Sequence, residues 1–365
     1  MLATKYQPVM RAITSPCDVK GGDILRIAQD GVEQYEIHHL RKLGLTSNAD
    51  VYESKVSKYP NLRVVVKYIT GMDLAARNRM WSHELRLLSQ LQCHAIVPCF
   101  GGDARLLALY MKAINAYDLH HKFWRVRNSN LFKGDEGDVI LVLGDMAYAL
   151  EHTRERDIVH HDIKPANILY EKNVGAVLID FGLATQGDEP PHQGGTPWYV
   201  GPELLNVKNE RGPAADVWAL GIVMLYMLRF IPLPETGAQV PVWLIHRARD
   251  PSSRAHAQMK RWHAIIDAIL EEELDENNDL HKIVKRMLKP VVEQRITPGE
   301  IREALEAMKQ RKREALEAAE QQKQEASKAA EQQEREASEA AEQQEREARK
   351  PAKRQKRKAR KPAKK

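Results

Sequence analysis

Short runs of β-branched and aromatic residues, separated by turn residues, fill the first part of the chain, and this pattern predicts a small sheet. Two such runs flank the turn at residues 29–31, and residues 35–68 are rich in predicted strands, ending with the sequence RVVVKYI. A helix is predicted over residues 74–91, because leucines recur there on one helical face. One more strand pair is predicted after Cys99, around the sequence LLALYM.

After residue 138 the pattern becomes mainly helical, interrupted by two short strand-like sequences, NILY and AVLIDF. This order predicts an α+β architecture, with a small β-rich lobe joined to a larger helical lobe and a cleft between them. The longest apolar stretch without a charge, residues 217–228, has 12 residues, fewer than the roughly 18–20 that cross a membrane. We therefore expect no membrane partner.

An internal repeat occupies the C-terminal part of the chain, where AAEQQKQEASK, AAEQQEREASE and AAEQQEREARK follow one another over residues 318–350. These residue types favour helix, so one long helix is predicted from about residue 299 to 348. A period of eleven residues would give a right-handed coiled coil if two such helices paired. Because the repeated apolar residue is only alanine, a solvated single helix in a monomer is favoured, and weak self-association is the alternative.

Charge is distributed unevenly along the 365 residues. The formal net charge is +6, but residues 349–365 hold 11 Lys and Arg and no acidic residue, so they contribute +11. Residues 306–348 contribute −4, from 8 basic and 12 acidic residues, and residues 1–305 contribute −1. This partition excludes a uniformly basic nucleic-acid binder and predicts four segments. These are a leader (1–34), a globular domain (35–305), a helical repeat (306–348) and a disordered basic tail (349–365).

The chemistry is concentrated in two short motifs. The sequence HHDIKPANIL places the carboxylate of Asp162, the ammonium of Lys164 and the carboxamide of Asn167 within six residues. Asp180-Phe181-Gly182 follows an apolar strand further along the chain. Phosphoryl transfer needs positioned charges and metal ions around the phosphates, and this set of side chains could supply them.

These two motifs resemble the catalytic loop and the metal-binding motif of eukaryotic protein kinases of the serine/threonine type, and the resemblance extends over residues 36–305. It implies a bilobal protein kinase fold that uses ATP and Mg²⁺ and phosphorylates a protein substrate. Asp162 would be the catalytic base, and Lys164 would contact the γ-phosphate. Asn167 and Asp180 would hold Mg²⁺.

Upstream sequence extends the resemblance. Val64-Val65-Val66-Lys67 is similar to the kinase V-A-I-K strand, so Lys67 would bind the α- and β-phosphates, with Glu84 of the predicted helix as its ion-pair partner. Further residues are implied at the nucleotide pocket, namely Leu43, Gly44, Val51, Val65 and Leu169. The hinge between the lobes fits residues 109–113 in two registers, so the gatekeeper residue stays open.

Downstream sequence resembles the end of a kinase activation segment. Gly195-Thr196-Pro197 precedes Gly-Pro-Glu, in which Glu203 would pair with Arg295. Asp216 matches the buried aspartate that supports the catalytic loop. Thr196 would bridge Lys164 and Asp162, an arrangement typical of kinases that phosphorylate Ser and Thr.

The sequence departs from the kinase pattern in the Gly-rich loop, where only Gly44 is glycine and Thr46 and Ala49 replace the other two. Glycine allows the backbone to approach phosphates closely and to adopt positive φ, so we expect looser ATP binding or slower turnover. A pseudokinase scaffold with weak or no catalysis is therefore the alternative to an active enzyme. A chromatin- or RNA-tethered interaction protein is a third reading.

A second departure lies in the catalytic loop, where His161 replaces the arginine that normally receives an activation-loop phosphate. Thr185 is the only hydroxyl residue between Gly182 and Thr196. We therefore expect activity that does not depend on phosphorylation of this loop.

The basic tail KPAKRQKRKARKPAKK resembles a nuclear-import signal and the tails of linker histones. A nuclear-import receptor is the favoured partner, so the protein is expected in the nucleus or the cytoplasm, with the nucleus favoured. A weak, salt-dependent contact with nucleic acid and a purely solubilising end are the alternatives.

Overall fold

A computed structural model of the protein describes residues 20–29, 32–45, 48–71, 73–190, 194–205, 211–237 and 240–358. The chain divides into two compact units, Met1–Leu305 and Glu306–Lys365, which are described separately below. Most of the predicted leader, and the centre of the turn at residues 29–31, lie outside the described residues.

A six-stranded sheet forms the first part of unit 1. Its strands are β1 (Ile24–Gln29), β2 (Val32–Leu45), β3 (Ala49–Val56), β4 (Val64–Ile69), β5 (Cys99–Asp103) and β6 (Ala108–Lys112). The order is β1-β2-β3-β4-β6-β5, and every neighbouring pair is antiparallel. The sheet begins at Ile24, upstream of the boundary predicted at residue 35, because Leu25 and Ile27 are buried in its core with Tyr35.

The strand register separates two faces of this sheet. Val51 lies opposite Lys67, and Val65 lies opposite Met111. Because side chains alternate along a strand, these four residues share one face. The other face is a buried aromatic core that includes Tyr52, Tyr68 and Tyr110. One face of the sheet is therefore covered by its own buried side chains, and the face that carries Lys67 is turned towards the rest of unit 1.

Helix α1 (Leu74–Gln90) begins at Asp73, whose side chain accepts a hydrogen bond from the amide of Ala76. This N-cap satisfies one of the free amides at the helix start. Glu84, Leu87 and Leu88 form the buried face of the helix. The predicted helix over residues 74–91 is thus present, and it carries a buried carboxylate.

The rest of unit 1 is mainly helical. Its helices are α2 (Glu136–Arg154), α3 (Pro213–Met227), α4 (Pro234–Gly237), α5 (Arg254–Glu272), α6 (Asp279–Met287) and the first residues of α7 (Pro298–Lys358). Residues 215–227 of α3 are all buried, so this helix forms the centre of the lobe. The predicted bilobal architecture is confirmed.

Short strands connect the two parts of unit 1. They are β7 (Tyr117–Asp118), β8 (Ile158–Val159), β9 (Ile168–Glu171), β10 (Gly175–Leu178) and β11 (Thr185–Gln186). Strand β9 pairs with β10 and β7, and β8 pairs with β11. These ladders fix the two loops that carry the predicted chemistry, one before β9 and one after β10.

Unit 2 consists of the continuation of α7. The side chains of residues 309–346 are exposed on all sides of the helix. The helix continues to Lys358, beyond the end predicted near residue 348, so residues 349–358 of the tail predicted to be disordered are helical, because Lys, Arg and Ala favour helix. Residues 359–365 of the tail lie outside the described residues. Across the described part of the chain, no helix is both long and apolar enough to cross a membrane.

Candidate active site

Lys67 joins two carboxylates that come from distant parts of the chain. Its Nζ lies 2.7 Å from Oε1 of Glu84 on α1 and 2.6 Å from Oδ1 of Asp180 after β10. Burial alone lowers the pKa of Lys67, but the charges of Asp180 and Glu84 outweigh burial and raise that pKa above its ordinary value. The Lys67 charge holds the pKa of Asp180 at about 2, so both groups are charged at neutral pH.

The catalytic loop gathers a second polar cluster around Asp162. The Thr196 hydroxyl donates to Oδ1 of Asp162 over 2.8 Å, and Lys164 donates to Thr196 over 2.9 Å. Lys164 Nζ also lies 2.7 Å from Oδ2 of Asp162. The bridge predicted through Thr196 is therefore present, and it orients both the carboxylate and the ammonium.

The backbone of this loop adopts an unusual conformation that α3 stabilises. His161 has a φ of 65°, a backbone conformation that residues other than glycine rarely adopt. The Asp216 carboxylate accepts hydrogen bonds from the amides of His160 and His161, over 2.7 and 2.9 Å. Asp216 is buried on α3, and burial raises its pKa. The helix core thus holds the strained residue next to Asp162 in place.

Asn167 and Asp180 fit the role of magnesium ligands. The Asn167 amide nitrogen donates to the backbone oxygen and to Oδ2 of Asp162, over 2.8 and 3.0 Å. Its carbonyl oxygen, which has no donor among the described residues, is thereby left to accept. The Asp180 side chain is 43% exposed, so an oxygen of its carboxylate is accessible beside Lys67. Mg²⁺ prefers such hard oxygen ligands and completes its octahedron with phosphate and water.

No group of three or more His, Cys, Asp and Glu in the described ranges could hold a metal by itself. A magnesium ion at Asn167 and Asp180 would therefore take its remaining ligands from a bound nucleotide and from water.

Two of the predicted nucleotide-pocket residues lie on the face of the sheet that carries Lys67, and the others lie on neighbouring positions of β2 and on β9. Val51 and Val65 lie on that face by register, and Gly44 lies opposite Val51. Leu43, beside Gly44 on β2, is 45% exposed, and Leu169 lies on β9 opposite Asp118. Strand β6 ends at Lys112, and its register places Leu109 and Met111, and not Tyr110, on the Lys67 face. Met111, which lies one residue before the end of the strand, is the candidate gatekeeper residue.

Two of the three glycine positions of the unusual Gly-rich loop are described, and neither has a backbone conformation that requires glycine. Ala49 lies in β3, where it pairs with Ile69 in ordinary extended backbone that does not require glycine. Gly44 lies in β2 and also has no positive φ. Thr46, between them, lies outside the described residues.

The end of the activation segment is held by the predicted ion pair. Both guanidinium nitrogens of Arg295 donate to the Glu203 carboxylate, over 3.2 and 3.0 Å, and both side chains are buried. Arg295 also donates to the carbonyl of Ala214 and packs over the ring of Trp218. A buried, fully bonded pair of this kind fixes the loop to α3, since removing one partner would leave an unpaired buried charge.

The family model of the protein kinase domain matches residues 37–310 of this chain, which is most of its length. The chain belongs to the protein kinase family. Within this protein kinase, the matched range contains every residue of the two charged clusters described above.

Similarity to characterised kinases is distant. The chain is 30% identical over 217 residues to the serine/threonine-protein kinase PLK4 of Drosophila willistoni, covering 57% of this chain and 26% of that protein. It is 29% identical over 163 residues to the CBL-interacting serine/threonine-protein kinase 10 of Arabidopsis thaliana, covering 43% of this chain and 30% of that protein. The kinase thus spans less than a third of the length of these relatives.

Two arginines of the site were not predicted from the sequence. Arg211 donates to the carbonyl of His161 over 3.2 Å and to that of Gly194 over 2.8 Å. Arg86 of α1 contacts Gln186 and Glu189 in the activation segment. Neither arginine belongs to a short motif, and their partners are distant in sequence, so only the folded chain reveals them.

Proposed function

We propose that this protein kinase is an active serine/threonine kinase that transfers the γ-phosphate of ATP to a Ser or Thr hydroxyl of a protein substrate. The observation that supports this proposal best is that two charged clusters are formed at once. Lys67 is paired with both Glu84 and Asp180, and Asp162 is bonded to both Thr196 and Lys164. An inactive kinase fold would not require both.

Asp162 acts as the catalytic base in this proposal. Its carboxylate accepts the proton of the substrate hydroxyl as the hydroxyl oxygen bonds to the γ-phosphorus and the bond from that phosphorus to the β–γ bridging oxygen breaks. ADP leaves with the electron pair of the broken bond. The hydrogen bonds from Thr196 and Asn167 fix the carboxylate in one orientation, which lowers the entropic cost of reaching the reactive geometry.

The two lysines neutralise phosphate charge at different places. Lys67 is fixed by two carboxylates and serves the α- and β-phosphates, and Lys164 serves the transferred γ-phosphate. A magnesium ion held by Asn167 and Asp180 would neutralise phosphate oxygens beside them. Val51, Val65 and Leu169 would pack against the adenine, with Leu43 and Gly44 at its edge.

Specificity for Ser and Thr is supported by the Lys164–Thr196–Asp162 bridge. These hydrogen bonds place Lys164 beside the catalytic carboxylate, an arrangement similar to serine/threonine kinases. The relatives named above are also serine/threonine kinases by name.

An assay with labelled ATP and a generic basic protein substrate tests this function, with Asp180→Ala as the inactive control. We expect transfer well above that of the variant, and hydrolysis of the product should release phosphoserine or phosphothreonine. Transfer no higher than in Asp180→Ala would favour the pseudokinase scaffold, and phosphotyrosine alone would contradict the specificity.

Independence from loop phosphorylation is a further part of the proposal. The Nε2 of His161 lies 2.8 Å from the hydroxyl of Thr185, the only hydroxyl residue between Gly182 and Thr196. This hydroxyl is therefore already in a hydrogen bond. Phosphatase treatment and Thr185→Ala are expected to leave measurable transfer. If either treatment abolished it, activation would depend on this loop after all.

The basic tail, in this proposal, directs the protein to the nucleus through an import receptor. Its net charge of +11 over residues 349–365 supports this reading. Deleting these residues and imaging the protein tests it, since unchanged nuclear accumulation would contradict the role. Salt-titrated binding of the intact and shortened chains to nucleic acid tests the weaker alternative.

A further inference from the structure

Helix α1 and the activation segment are joined by polar contacts along one side of the helix. His83 Nε2 lies 2.9 Å from the carbonyl oxygen of Ala184. Gln90 and Gln186 exchange hydrogen bonds of 3.2 and 2.9 Å through their amide groups. Helix α1 therefore carries the buried Glu84 that pairs with Lys67. It also carries an outer row of side chains, His83, Arg86 and Gln90, that form hydrogen bonds with the segment after Asp180.

Arg86 is the only side chain in this row with a full positive charge. Its guanidinium donates through Nη1 to the Gln186 side chain and through Nη2 to Glu189 over 2.7 Å. The other carboxylate oxygen of Glu189 accepts a hydrogen bond of 2.8 Å from the backbone N–H of Gln186. The carboxylate thus closes a turn of the activation segment and ties that turn to α1.

A kinase with arginine in its catalytic loop uses that arginine to hold an activation-loop phosphate, and this chain has a histidine there instead. The residue in that place, His161, is bonded to Thr185, and Arg211 holds the His161 carbonyl. The carboxylate of Glu189 accepts from a guanidinium and from a backbone amide, which is what an activation-loop phosphate does through its oxygens. Here the charge is encoded in the chain and needs no modification.

We propose that Arg86 is a positioning residue for phosphoryl transfer. Through Glu189 and Gln186 it fixes the activation segment to α1, and this keeps Glu84 on Lys67 and the segment ordered without phosphorylation. This inference rests on the proposed kinase function.

The size of the expected effect follows from exposure. The side chains of Arg86 and Glu189 are 45% and 36% exposed, so solvent screens their attraction. The contact acts on the population of the ordered segment and touches no reacting atom. We therefore expect Arg86→Ala to lower kcat by roughly three- to tenfold, with a smaller change in the KM for ATP.

The test uses the full chain, dephosphorylated and verified by intact mass. Three variants are compared with the control Arg154→Ala. They are Arg86→Ala, Arg86→Lys and the charge-swapped double variant, in which Arg86→Glu is combined with Glu189→Arg. The control removes an ion pair on α2 of 2.8 Å, made by an arginine that is also 45% exposed. Two kinds of measurement are made: steady-state kinetics, which give kcat and the KM for ATP, and the hydrogen–deuterium exchange of residues 184–189.

We expect kcat to decrease in the order wild type, Arg86→Lys, Arg86→Ala, with partial recovery in the exchanged pair and wild-type values in Arg154→Ala. Amides of residues 184–189 should exchange faster in Arg86→Ala. Equal kcat and equal exchange in Arg86→Ala and wild type would overturn the proposal, and so would equal losses in Arg86→Ala and Arg154→Ala.

The exchange measurement also separates this inference from the proposed function. If wild type transferred no phosphate but Arg86→Ala still increased exchange at residues 184–189, the kinase function would fail and the positional role of Arg86 would stand. If wild type were active and exchange did not respond to Arg86→Ala, the inference alone would fail.

Discussion

At the scale of single residues, the site depends on buried charges that compensate one another. Burial raises the pKa of Glu84, and the neighbouring Lys67 opposes this effect. Lys67 in turn stays charged because it has two carboxylate partners, one from α1 and one after β10. A change at either carboxylate therefore alters the position of the lysine as well as the local charge.

Glu84→Gln tests this coupling with little change in shape. The amide removes one negative charge, so Lys67 is held by Asp180 alone and is less well fixed for the phosphates. We expect kcat/KM for ATP to decrease by about ten- to a hundredfold, which corresponds to about 1.4–2.8 kcal/mol of transition-state stabilisation. Steady-state kinetics check this, and an unchanged kcat/KM would mean that the ion pair is not used.

His39 gives a second prediction, on stability. It is buried in the aromatic core of the sheet, where it contacts Ser54 over 2.8 Å and Tyr68 over 3.1 Å. Burial lowers the pKa of His39 to about 4, whereas an unfolded histidine titrates near 6.5. Between these values the unfolded chain binds the extra proton, so stability is present above pH 6.5 and is lost as pH falls towards 4.

The loss attributable to His39 is at most about 3 kcal/mol. His39→Gln should flatten the decrease in the free energy of unfolding between pH 6.5 and 4, measured by urea denaturation. His246→Gln, at an exposed side chain, should keep the wild-type slope. Identical slopes for all three proteins would show that His39 titrates normally.

At the scale of elements, helix α3 supports the catalytic loop through hydrogen bonds from the loop amides to Asp216. It is buried almost throughout and presents Asp216 to the loop amides. Gly221 allows α3 to approach the segment after α6, because a Cβ at this residue would lie 2.7 Å from Cδ2 of Leu288. The close packing of α3 against the end of α6 therefore depends on the absence of a side chain at Gly221.

Gly221→Ala is expected to destabilise the protein by about 1–3 kcal/mol, because the added methyl group forces Leu288 out of its place. Gly144 on α2 is the matched control, since its nearest neighbour, Cδ1 of Leu305, would lie 3.9 Å from an added Cβ. Gly144→Ala should be neutral or stabilise by up to about 1 kcal/mol, as alanine favours helix. Urea denaturation of both variants checks the contrast, which would be refuted by equal effects.

Elements and motifs differ in how far the sequence could predict them. The bilobal fold and helix α1 could be predicted because periodicity and ordered motifs are local signals. The start of the sheet at Ile24 falls in the predicted leader, because the sequence of a polar hairpin does not show whether the hairpin joins a sheet. The choice of Met111 over its neighbours, and the contact of Arg86 with Glu189, depend on strand register and on a loop far along the chain.

At the scale of the whole molecule, the candidate catalytic residues all lie in unit 1, and unit 2 is a helix whose side chains are exposed over residues 309–346. The charge follows the same division, with −1 over residues 1–305 and +7 over the rest, from −4 and +11. The net basic charge of the chain therefore does not describe the domain that carries the candidate active site.

A chain ending at residue 315 should retain both kcat and melting temperature. Side chains beyond residue 309 are exposed through residue 346, so removing them takes no buried apolar surface from the kinase domain. Thermal denaturation and the ATP assay on the shortened chain check this. A lower melting temperature or a reduced kcat would show that the helical repeat supports the domain.

The proposed activity requires Asp162 to act as the base. The most direct test is the rate of phosphoryl transfer at saturating ATP in wild type and Asp162→Asn. The asparagine keeps the shape of the site but cannot accept the substrate proton. We expect the variant to bind ATP as wild type does while kcat falls by about a hundred- to ten-thousandfold. Equal transfer rates in the two proteins, or no transfer in either, would contradict the account.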